Sequence, residues 1–359
     1  MTRWQEIKNN QKLKDNLLGR DWILRAIRNY FHKQGFTEVE TPALIKLPGM
    51  EPYLNPFKTK VYNERGEEHE AYLITSPEYA MKKLLASGFQ KIFQICKCFR
   101  NGEQFDGLHN PEFTMIEWYK TDADYNDLMV GVENLILSIL DNPYLSQGSG
   151  SSERSRGQNY KLKFKNLKID FSKPFERLSL KEAFKKFCKL NLDNLLTLNA
   201  IKKAAEDKGY KIGEDFRYED MFFKIFINEI EPNLGKNKPT FLYDYPIQLG
   251  ALARAKKDNP QYAERVELYI AGLEIANGFS ELTDSGEQRK RLEEEKKLRF
   301  AQNKDLYNID EDFIQALNNL PKSAGIALGI DRLVMILLDA SSIEEVISFP
   351  ASTLFNSEA

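Results

Sequence analysis

The sequence predicts an α+β fold built on a mainly antiparallel sheet with helices around it. Strand-like segments occur before, between and after helical ones, and two strand-like segments lie close enough in sequence to form a hairpin. No internal repeat of about 20–50 residues is visible, which argues against a solenoid. At 359 residues the chain could hold two or three domains, but large sheet enzymes often run this long as one unit, and we expect a single domain over 1–359.

The first elements are a helix, a strand and a second strand that leads into a helix. Segment 21–34 spaces its apolar residues as an amphipathic helix, and Gly35 is typical of a C-cap. Segment 36–42 alternates apolar and acidic residues before its proline, which is a strand pattern. Segment 71–85 predicts a strand that enters a helix near Pro77, because proline fits a first helical turn.

The middle of the chain continues with a hairpin and several helices. Segments 89–100 and 112–120 predict antiparallel strands joined by a loop, and 124–140 predicts a helix with one apolar side. Segment 146–159 is low in complexity and nearly devoid of apolar residues, so we expect a flexible insertion there. Segment 179–230 predicts mixed helices.

The last third returns to strands. Segments 238–246 and 264–279 have strand patterns, and 285–303 predicts a charged helix. Segment 323–338 predicts a strand of small residues that runs into an apolar helix.

Composition limits the class of protein. Hydrophobic residues make up 42% and charged residues 29%, as in soluble globular proteins, and the net charge of −2 argues against a dominant electrostatic grip on nucleic acid. RNA binding through a local charged patch is still compatible with this net charge. The sequence has no apolar run of the ~20 residues that a membrane span needs, and its first residues lack the apolar stretch of a signal peptide. We therefore expect a cytoplasmic protein without membrane contact.

Small residues and an arginine near the C-terminus indicate a ligand surface. On a strand, Gly325, Ala327 and Gly329 would present one face with almost no side chains, where a flat ligand could lie on the backbone. Arg332 follows, and a guanidinium suits a phosphate or an aromatic base. The alternative is close packing of a helix on the sheet, with Arg332 at the surface.

Two acids and a cation extend this pattern toward a nucleoside triphosphate. Glu274 and Glu281 could hold Mg²⁺, which binds through one or two carboxylates and the phosphates of its substrate. The alternative is a pair of solvated acids on an exposed strand. Arg100 offers a cation at a strand end and Phe113 a face for stacking, while the P-loop pattern is absent.

Three stretches then show a resemblance to a family. "GFTEVETP", "FRNGE…HNPEFTMIEWY" and "GIALGIDRL" resemble, in order, the three signature motifs of class II aminoacyl-tRNA synthetases, over most of 15–350. The lysyl-tRNA synthetases are the most similar branch. Ser76 in "TSPEY", Ala327 and "EPNLGKNKPTF" resemble its stand-alone paralogues, which ligate (R)-β-lysine to elongation factor P. So little chain precedes residue 20 that we expect no anticodon-binding domain.

The resemblance implies a class II catalytic fold and a role for each matching residue. Arg100 would contact the α-phosphate of ATP, and Phe113 with Arg332 would enclose the adenine. The remaining nucleotide contacts would be Asn101, Glu103, Asn110, Ile275 and Gly329. Glu274 and Glu281 would position Mg²⁺, and the amino acid would be bound by Ser76, Pro77, Glu78, Glu117, Tyr119, Glu281 and Ala327. An acid and a phenol two residues apart on one strand face, as at 117 and 119, suit an ammonium group; the alternative is a surface pair.

The implied function is an ATP-dependent ligase. It would activate (R)-β-lysine or lysine as an acyl-adenylate and transfer it to a lysine side chain of elongation factor P. Two alternatives stay open, a lysyl-tRNA synthetase-like enzyme that aminoacylates tRNA and a non-catalytic paralogue that senses amino acids. Family members pair through the first motif, so we expect a homodimer with Pro42 near the interface, and tRNA is not the expected partner.

The chain departs from the family pattern in the second motif. Gly102 stands between Asn101 and Glu103, where the family reads Arg-Asn-Glu without interruption, so the loop to Asn110 is one residue longer. A β-bulge at Gly102 would keep Glu103 in place. Leu108 precedes the His-Asn pair where the family tends to carry an arginine.

Overall fold

The computed structural model describes residues 2–141, 160–213, 216–250 and 252–355. Segment 146–159, predicted to be a flexible insertion, lies outside the described residues. The first half contains α1 (Arg3–Asn9), α2 (Gln11–Lys33), β1 (Thr37–Glu38), β2 (Leu44–Ile45), β3 (Lys58–Tyr62), β4 (Glu68–Leu73), α3 (Glu78–Ala86), β5 (Lys91–Phe99), β6 (Glu112–Thr121) and α4 (Tyr125–Leu140).

The second half alternates short strands with helices. It contains β7 (Lys161–Phe164), β8 (Leu167–Asp170), β9 (Glu176–Ser179), α5 (Leu180–Ala183), α6 (Leu198–Asp207), α7 (Tyr218–Ile225), β10 (Thr240–Pro246), β11 (Tyr262–Ile270), β12 (Leu273–Ser280), α8 (Ser285–Ala301), α9 (Glu311–Leu317), β13 (Ser323–Gly329), α10 (Ile330–Leu337) and α11 (Ala351–Leu354). Short π and 3₁₀ turns join several of the helices.

The main sheet has eight strands in the order β1-β5-β6-β13-β12-β11-β10-β9. Every pair from β5 to β10 is antiparallel, and only the outermost strands β1 and β9 run parallel to their neighbours. The predicted mainly antiparallel α+β fold is therefore confirmed. A smaller sheet in the order β2-β4-β3 lies beside it.

Two segments differ from the simplest strand prediction for physical reasons. Segment 264–279 divides into β11 and β12, because Ala271 and Gly272 adopt φ values of 56° and 77° and turn the chain into a tight hairpin. The strand predicted over 36–42 is only two residues long in β1, since it pairs with β5 at the sheet edge and leaves the ladder before Pro42.

The predicted helices are confirmed, with shifted ends. The first begins earlier, at Gln11, and Gly35 follows it with a φ of 75°, as a left-handed helix end requires. Pro77 is the N-cap of α3, one residue before the first helical position. The helices between β9 and β10 bury their own apolar cluster, which includes Phe184, Met221 and Phe222.

The largest apolar cluster lies between the main sheet and α2, α4 and α10. These helices cover one face of the sheet and leave the other face of β6, β12 and β13 to the polar side chains described next. Of the helices in the described part of the chain, none is long and apolar enough to cross a membrane.

Candidate active site

The β5–β6 hairpin positions the first candidate residues. Its ladder runs without interruption from Lys91 opposite Lys120 to Phe99 opposite Glu112. The β-bulge predicted at Gly102 is therefore wrong. Gly102 lies instead in a turn beyond the strand, with a φ of 81° that a residue with a side chain rarely adopts. The extra residue is thus accommodated in the loop, outside the ladder.

Arg100 starts the loop and is held by its backbone. Its N–H donates to the Pro111 carbonyl at 2.9 Å, which closes the hairpin. The guanidinium carbon lies 4.9 Å from the centre of the Phe113 ring, a cation–π contact. The Arg100 Nε is buried and has no hydrogen-bond partner among the described residues. This cation therefore has a free donor on the face of the sheet where the ligand is expected.

Arg332 lies on the same side, in the first turn of α10. Its guanidinium donates to the carbonyl of Glu274 at 3.0 Å and to that of Leu108 at 3.3 Å. A third donor lies 2.8 Å from Nε2 of His109, whose Nδ1 is 3.0 Å from the Asp106 carboxylate. Arg332 is thus a half-buried residue that ties the hairpin loop to β12, which differs from the alternative of a surface arginine.

The other predicted nucleotide contacts have different surroundings. The Asn110 side chain is fully engaged: its amide donates to the Glu112 carbonyl at 2.6 Å, and its oxygen accepts from the N–H of Ala351 at 2.8 Å. The backbone N–H of Asn101 donates to Asn55 at 2.7 Å, whereas Glu103 is half-buried in the loop. Asn110 therefore supports the base of the loop through its side chain.

Gly329 ends β13 beside open space. A Cβ at this position would meet only the Ile275 carbonyl, at 3.9 Å, so the backbone is accessible from the ligand side. Ala327 is half-buried between Gly325 and Gly329 on the same strand face. This arrangement agrees with the predicted surface of small residues.

Glu117 and Tyr119 lie further along β6, opposite that surface. Glu117 pairs across the ladder with Ala327, and Tyr119 pairs with Gly325. Glu117 is only 2% exposed, and its two carboxylate oxygens accept from the hydroxyls of Ser76 at 2.6 Å and Tyr119 at 2.9 Å. The alternative of a surface pair is excluded.

Gly325 allows this close packing. A Cβ there would lie 2.1 Å from a Tyr119 ring carbon and 2.6 Å from Glu281 Oε1. Both side chains therefore lie directly against the backbone of β13, in the space that a side chain at this position would need.

Glu78 and Glu281 share a buried lysine that was not predicted. The Lys82 ammonium lies 2.5 Å from Glu78 Oε1 and 2.5 Å from Glu281 Oε2, and both Lys82 and Glu281 are 1% exposed. Ser76 joins this group, because its Oγ accepts from the backbone N–H of Glu78 at 3.0 Å. We call the side chains of Ser76, Glu78, Lys82, Glu117, Tyr119 and Glu281 the acidic pocket.

Burial changes the proton affinity of the carboxyl groups. Burial, with a further contribution from Glu78, raises the pKa of Glu117 to about 7. Burial raises the pKa of Glu281 to about 8, even though the Lys82 ammonium opposes this shift. The acidic pocket therefore holds carboxyl groups that ionise near neutral pH, and a bound ammonium group would favour the ionised form.

Glu274 belongs to a separate group of charges. Burial first, and the Glu267 carboxylate second, raise the pKa of Glu274 to about 7. Glu267 accepts from the hydroxyls of Tyr245 at 2.5 Å and Tyr269 at 2.6 Å. The acid that interacts with Glu274 is thus Glu267, while Glu281 pairs with Lys82. The alternative of two solvated acids on an exposed strand therefore does not apply to Glu274 or Glu281.

Sequence reasoning missed Lys82, Glu267 and His109. Glu78 and Lys82 are four residues apart on a helix, a spacing typical of exposed ion pairs, so the pattern itself gives no sign of burial. Glu267 sits two residues before the buried Tyr269 on β11, and only the hairpin brings it near Glu274. His109 lies within the second motif, directly before Asn110, and this position was the sequence signal that could have drawn attention to it.

The comparison with known proteins agrees with this geometry. The family model for class II tRNA synthetases (D, K and N) matches residues 1–353. This chain belongs to that family. The predicted resemblance is confirmed, and the class II catalytic fold accounts for the antiparallel sheet and for the site on its open face.

Individual relatives lie in two groups. The elongation factor P (R)-β-lysine ligase of Pectobacterium atrosepticum is 37% identical over 93% of this chain and 94% of its own length. The ligase of the same name from Pectobacterium carotovorum is 38% identical with the same coverage. The lysine–tRNA ligase of Wigglesworthia glossinidia brevipalpis is 36% identical over 97% of this chain and 67% of its own length.

Proposed function

We propose that the protein activates (R)-β-lysine or lysine with ATP and transfers the aminoacyl group to a lysine side chain of elongation factor P. The observation that carries this proposal is the acidic pocket, which lies on the same sheet face as Arg100 and Arg332. A carboxylate-rich pocket suits the ammonium groups of a diamino acid, while the arginines suit its carboxylate and the phosphates of ATP. The end-to-end similarity to β-lysine ligases supports the choice of acceptor.

Three carboxylates and one ammonium form the ionic part of the pocket. With Glu78, Glu117 and Glu281 ionised, Lys82 leaves two negative charges unbalanced. Two ammonium groups would balance them, and burial makes the match selective because an unpaired buried charge is costly. A diamino acid therefore fits the pocket better than an amino acid with one ammonium group.

Activation requires orientation and charge stabilisation more than covalent help. A carboxylate oxygen of the amino acid attacks the α-phosphorus, the bond to the bridging oxygen breaks, and pyrophosphate leaves. Arg100, with its unpartnered Nε, would stabilise the charge that grows on the α-phosphate. The amine of the acceptor then attacks the acyl carbon and loses a proton, and AMP leaves.

A magnesium ion fits the group around Glu274. No group of three or more His, Cys, Asp or Glu side chains in the described part of the chain could hold a metal by itself. Mg²⁺ in nucleotide sites binds through one or two carboxylates and the phosphates of its substrate. Glu274 would be the first ligand, and Glu267 is the second candidate because it is the carboxylate that interacts with Glu274; the Arg265 guanidinium lies 2.6 Å from one oxygen of Glu267. The ion would neutralise phosphate charge.

A pyrophosphate exchange assay followed by an acceptor assay tests the function. With ATP and Mg²⁺, the protein is expected to exchange labelled pyrophosphate into ATP in the presence of (R)-β-lysine or lysine, and not with norleucine, which lacks the distal amine. It should then label purified elongation factor P. Labelling of tRNA instead would favour the second candidate, suggested by the lysine–tRNA ligase relatives. Absence of exchange with every diamino acid would refute both.

We also propose a homodimer in the cytoplasm. Pro42 is exposed, and Leu44, two residues further on, is 44% exposed; Leu18 on α2 is 54% exposed, as expected for apolar residues at an interface. Light scattering after size exclusion is expected to give about twice the 41.6 kDa chain mass. Leu18→Glu should shift the protein toward the monomer, and a wild-type monomer at micromolar concentration would contradict the proposal.

A further inference from the structure

Lys82 is a charged residue buried inside the candidate site. It is 1% exposed, whereas its neighbour Lys83 is half-buried and pairs with Asp310 and Asp312, away from the acidic pocket. Burial of an ammonium group is unfavourable unless its partners compensate for the lost hydration. Its retention in the middle of the site therefore needs a reason beyond the packing of α3.

Its contacts bridge two elements of the acidic pocket. The ammonium is 2.5 Å from one oxygen of Glu78, on its own helix, and 2.5 Å from one oxygen of Glu281, just after β12. It also lies 5.1 Å from the centre of the Phe279 ring. Lys82 therefore sets the separation of two carboxylates that belong to different parts of the fold.

The remaining charged groups that face Lys82 are acidic. Glu117 comes from β6, and Glu51 comes from the loop before β3; the Lys82 ammonium lowers the pKa of both carboxyl groups against the effect of burial. Glu51 also interacts with Arg100 at the nucleotide side. A single internal cation thus acts on carboxylates from four segments of the chain.

We propose that Lys82 is a positioning residue for the diamino acid. It binds one oxygen each of Glu78 and Glu281 and leaves their second oxygens, together with Glu117, to receive the two ammonium groups of the substrate. The inference rests on the proposed function, since it concerns the amino-acid end of the same site. Lys82 itself takes no part in the chemical steps.

Two substitutions at Lys82 and a neighbouring control test this role. In pyrophosphate exchange at saturating ATP, Lys82→Met is expected to raise KM for the diamino acid at least about tenfold at pH 7.5, since a mispositioned charge pair costs about 1.4 kcal/mol or more. The KM for ATP should be unchanged. Lys82→Arg retains the charge, and its KM for the diamino acid should lie between those of wild type and Lys82→Met. Lys83→Met, on the same helix, is expected to behave as wild type.

The pH profile separates positioning from general stability. Without the ammonium, Glu117 and Glu281 hold their protons to higher pH, so the acid limb of kcat/KM for the diamino acid should move to higher pH in Lys82→Met. The defect should then shrink toward pH 9, and Lys82→Arg should keep the wild-type limb. A folded Lys82→Met protein with unchanged KM and an unchanged limb would overturn the proposal. An equal rise in KM for ATP and in KM for the diamino acid would also overturn it.

A double variant covers the case in which Lys82→Met does not fold. Lys82→Met with Glu281→Gln removes one positive and one negative charge, so the net charge of the acidic pocket is the same as in wild type. It should fold, and its KM for the diamino acid should exceed that of the single variant Glu281→Gln; equal KM values in these two variants would refute the role of Lys82. If wild-type protein shows no exchange with any diamino acid, the proposed function fails instead, so the two failures are distinguishable.

Discussion

The two ends of the candidate site differ in how their charges are held. In the acidic pocket, side chains are buried and bound to one another: Ser76 and Tyr119 donate to Glu117, and Lys82 bridges Glu78 and Glu281. At the proposed nucleotide end, the two arginines are half-buried. Arg100 rests on Phe113 with a free Nε, and Arg332 is bound to backbone carbonyls and to His109.

If the proposed function holds, this difference makes the amino-acid end preorganised and leaves the nucleotide end to rearrange when ATP binds. An adenine that stacks on Phe113 must displace the Arg100 guanidinium, which now lies 4.9 Å from the ring centre. Arg332 must exchange carbonyl partners for phosphate. In the acidic pocket, by contrast, an ammonium group can enter without breaking the hydrogen bonds to Glu117, because each carboxylate oxygen has a second lone pair. Substitutions at the two ends should therefore affect different kinetic constants.

The largest effect is expected for Arg100→Ala. Loss of a donor aimed at the developing charge should lower kcat for pyrophosphate exchange by roughly 10²–10³, about 2.7–4 kcal/mol. Exposed Arg177 on the distant strand β9 provides a control, and Arg177→Ala should retain full activity. Undiminished exchange by a folded Arg100→Ala protein would contradict the role of Arg100.

The next effect concerns the acidic pocket alone. Glu117→Gln keeps the shape but removes the charge, and we expect KM for the diamino acid to rise roughly 10- to 100-fold, as for a lost charge-assisted hydrogen bond of about 1.5–3 kcal/mol. The KM for ATP should change less than twofold if the ends are independent. Glu112→Gln, on the same strand but exposed, is the matched control. An equal rise in both KM values would show that the two ends are coupled.

The pH dependence gives a smaller and graded effect. The pKa of Glu117 is about 7 and that of Glu281 about 8, and both groups must be ionised to hold ammonium groups. As pH falls from 8 to 6 the carboxyl groups take up protons, so KM for the diamino acid should rise by up to about tenfold per pH unit for each group that becomes protonated. Exchange assays at saturating ATP measure this rise, and a flat KM over that range would count against the assignment of these carboxylates.

The smallest effect is expected for the loop glycine. Gly102 has a φ of 81° and its Cβ position is open apart from Asn55 at 3.7 Å, so Gly102→Ala adds backbone strain of about 1–2 kcal/mol with little steric conflict. We expect KM for ATP to rise several-fold and KM for the amino acid to stay constant. Gly209→Ala is matched, with a φ of 80° and no atom within 4 Å of its Cβ. It should lower Tm without changing either KM.

Local patterns predicted much of the fold and the nucleotide end of the site. The β5–β6 pair, α2, α4 and the β13–α10 unit follow from periodicity, turn residues and helix signals within each segment. Arg100, Phe113, Gly329 and Arg332 could be proposed as nucleotide contacts because the chemistry of phosphate and base binding depends on residue types at strand ends. The exception is Gly102, where a turn replaced the predicted β-bulge.

By itself, then, the sequence determined the family, the antiparallel sheet and the residues that suit a nucleotide and a cationic amino acid. Only the tertiary structure decided which buried carboxylates lie together and which residues they pair with. It pairs Glu281 with Lys82 in the acidic pocket and sets Glu267 beside Glu274. The reason is that such pairings join α3, β11 and β12 across the sheet, and local periodicity carries no information on which distant charges become buried together.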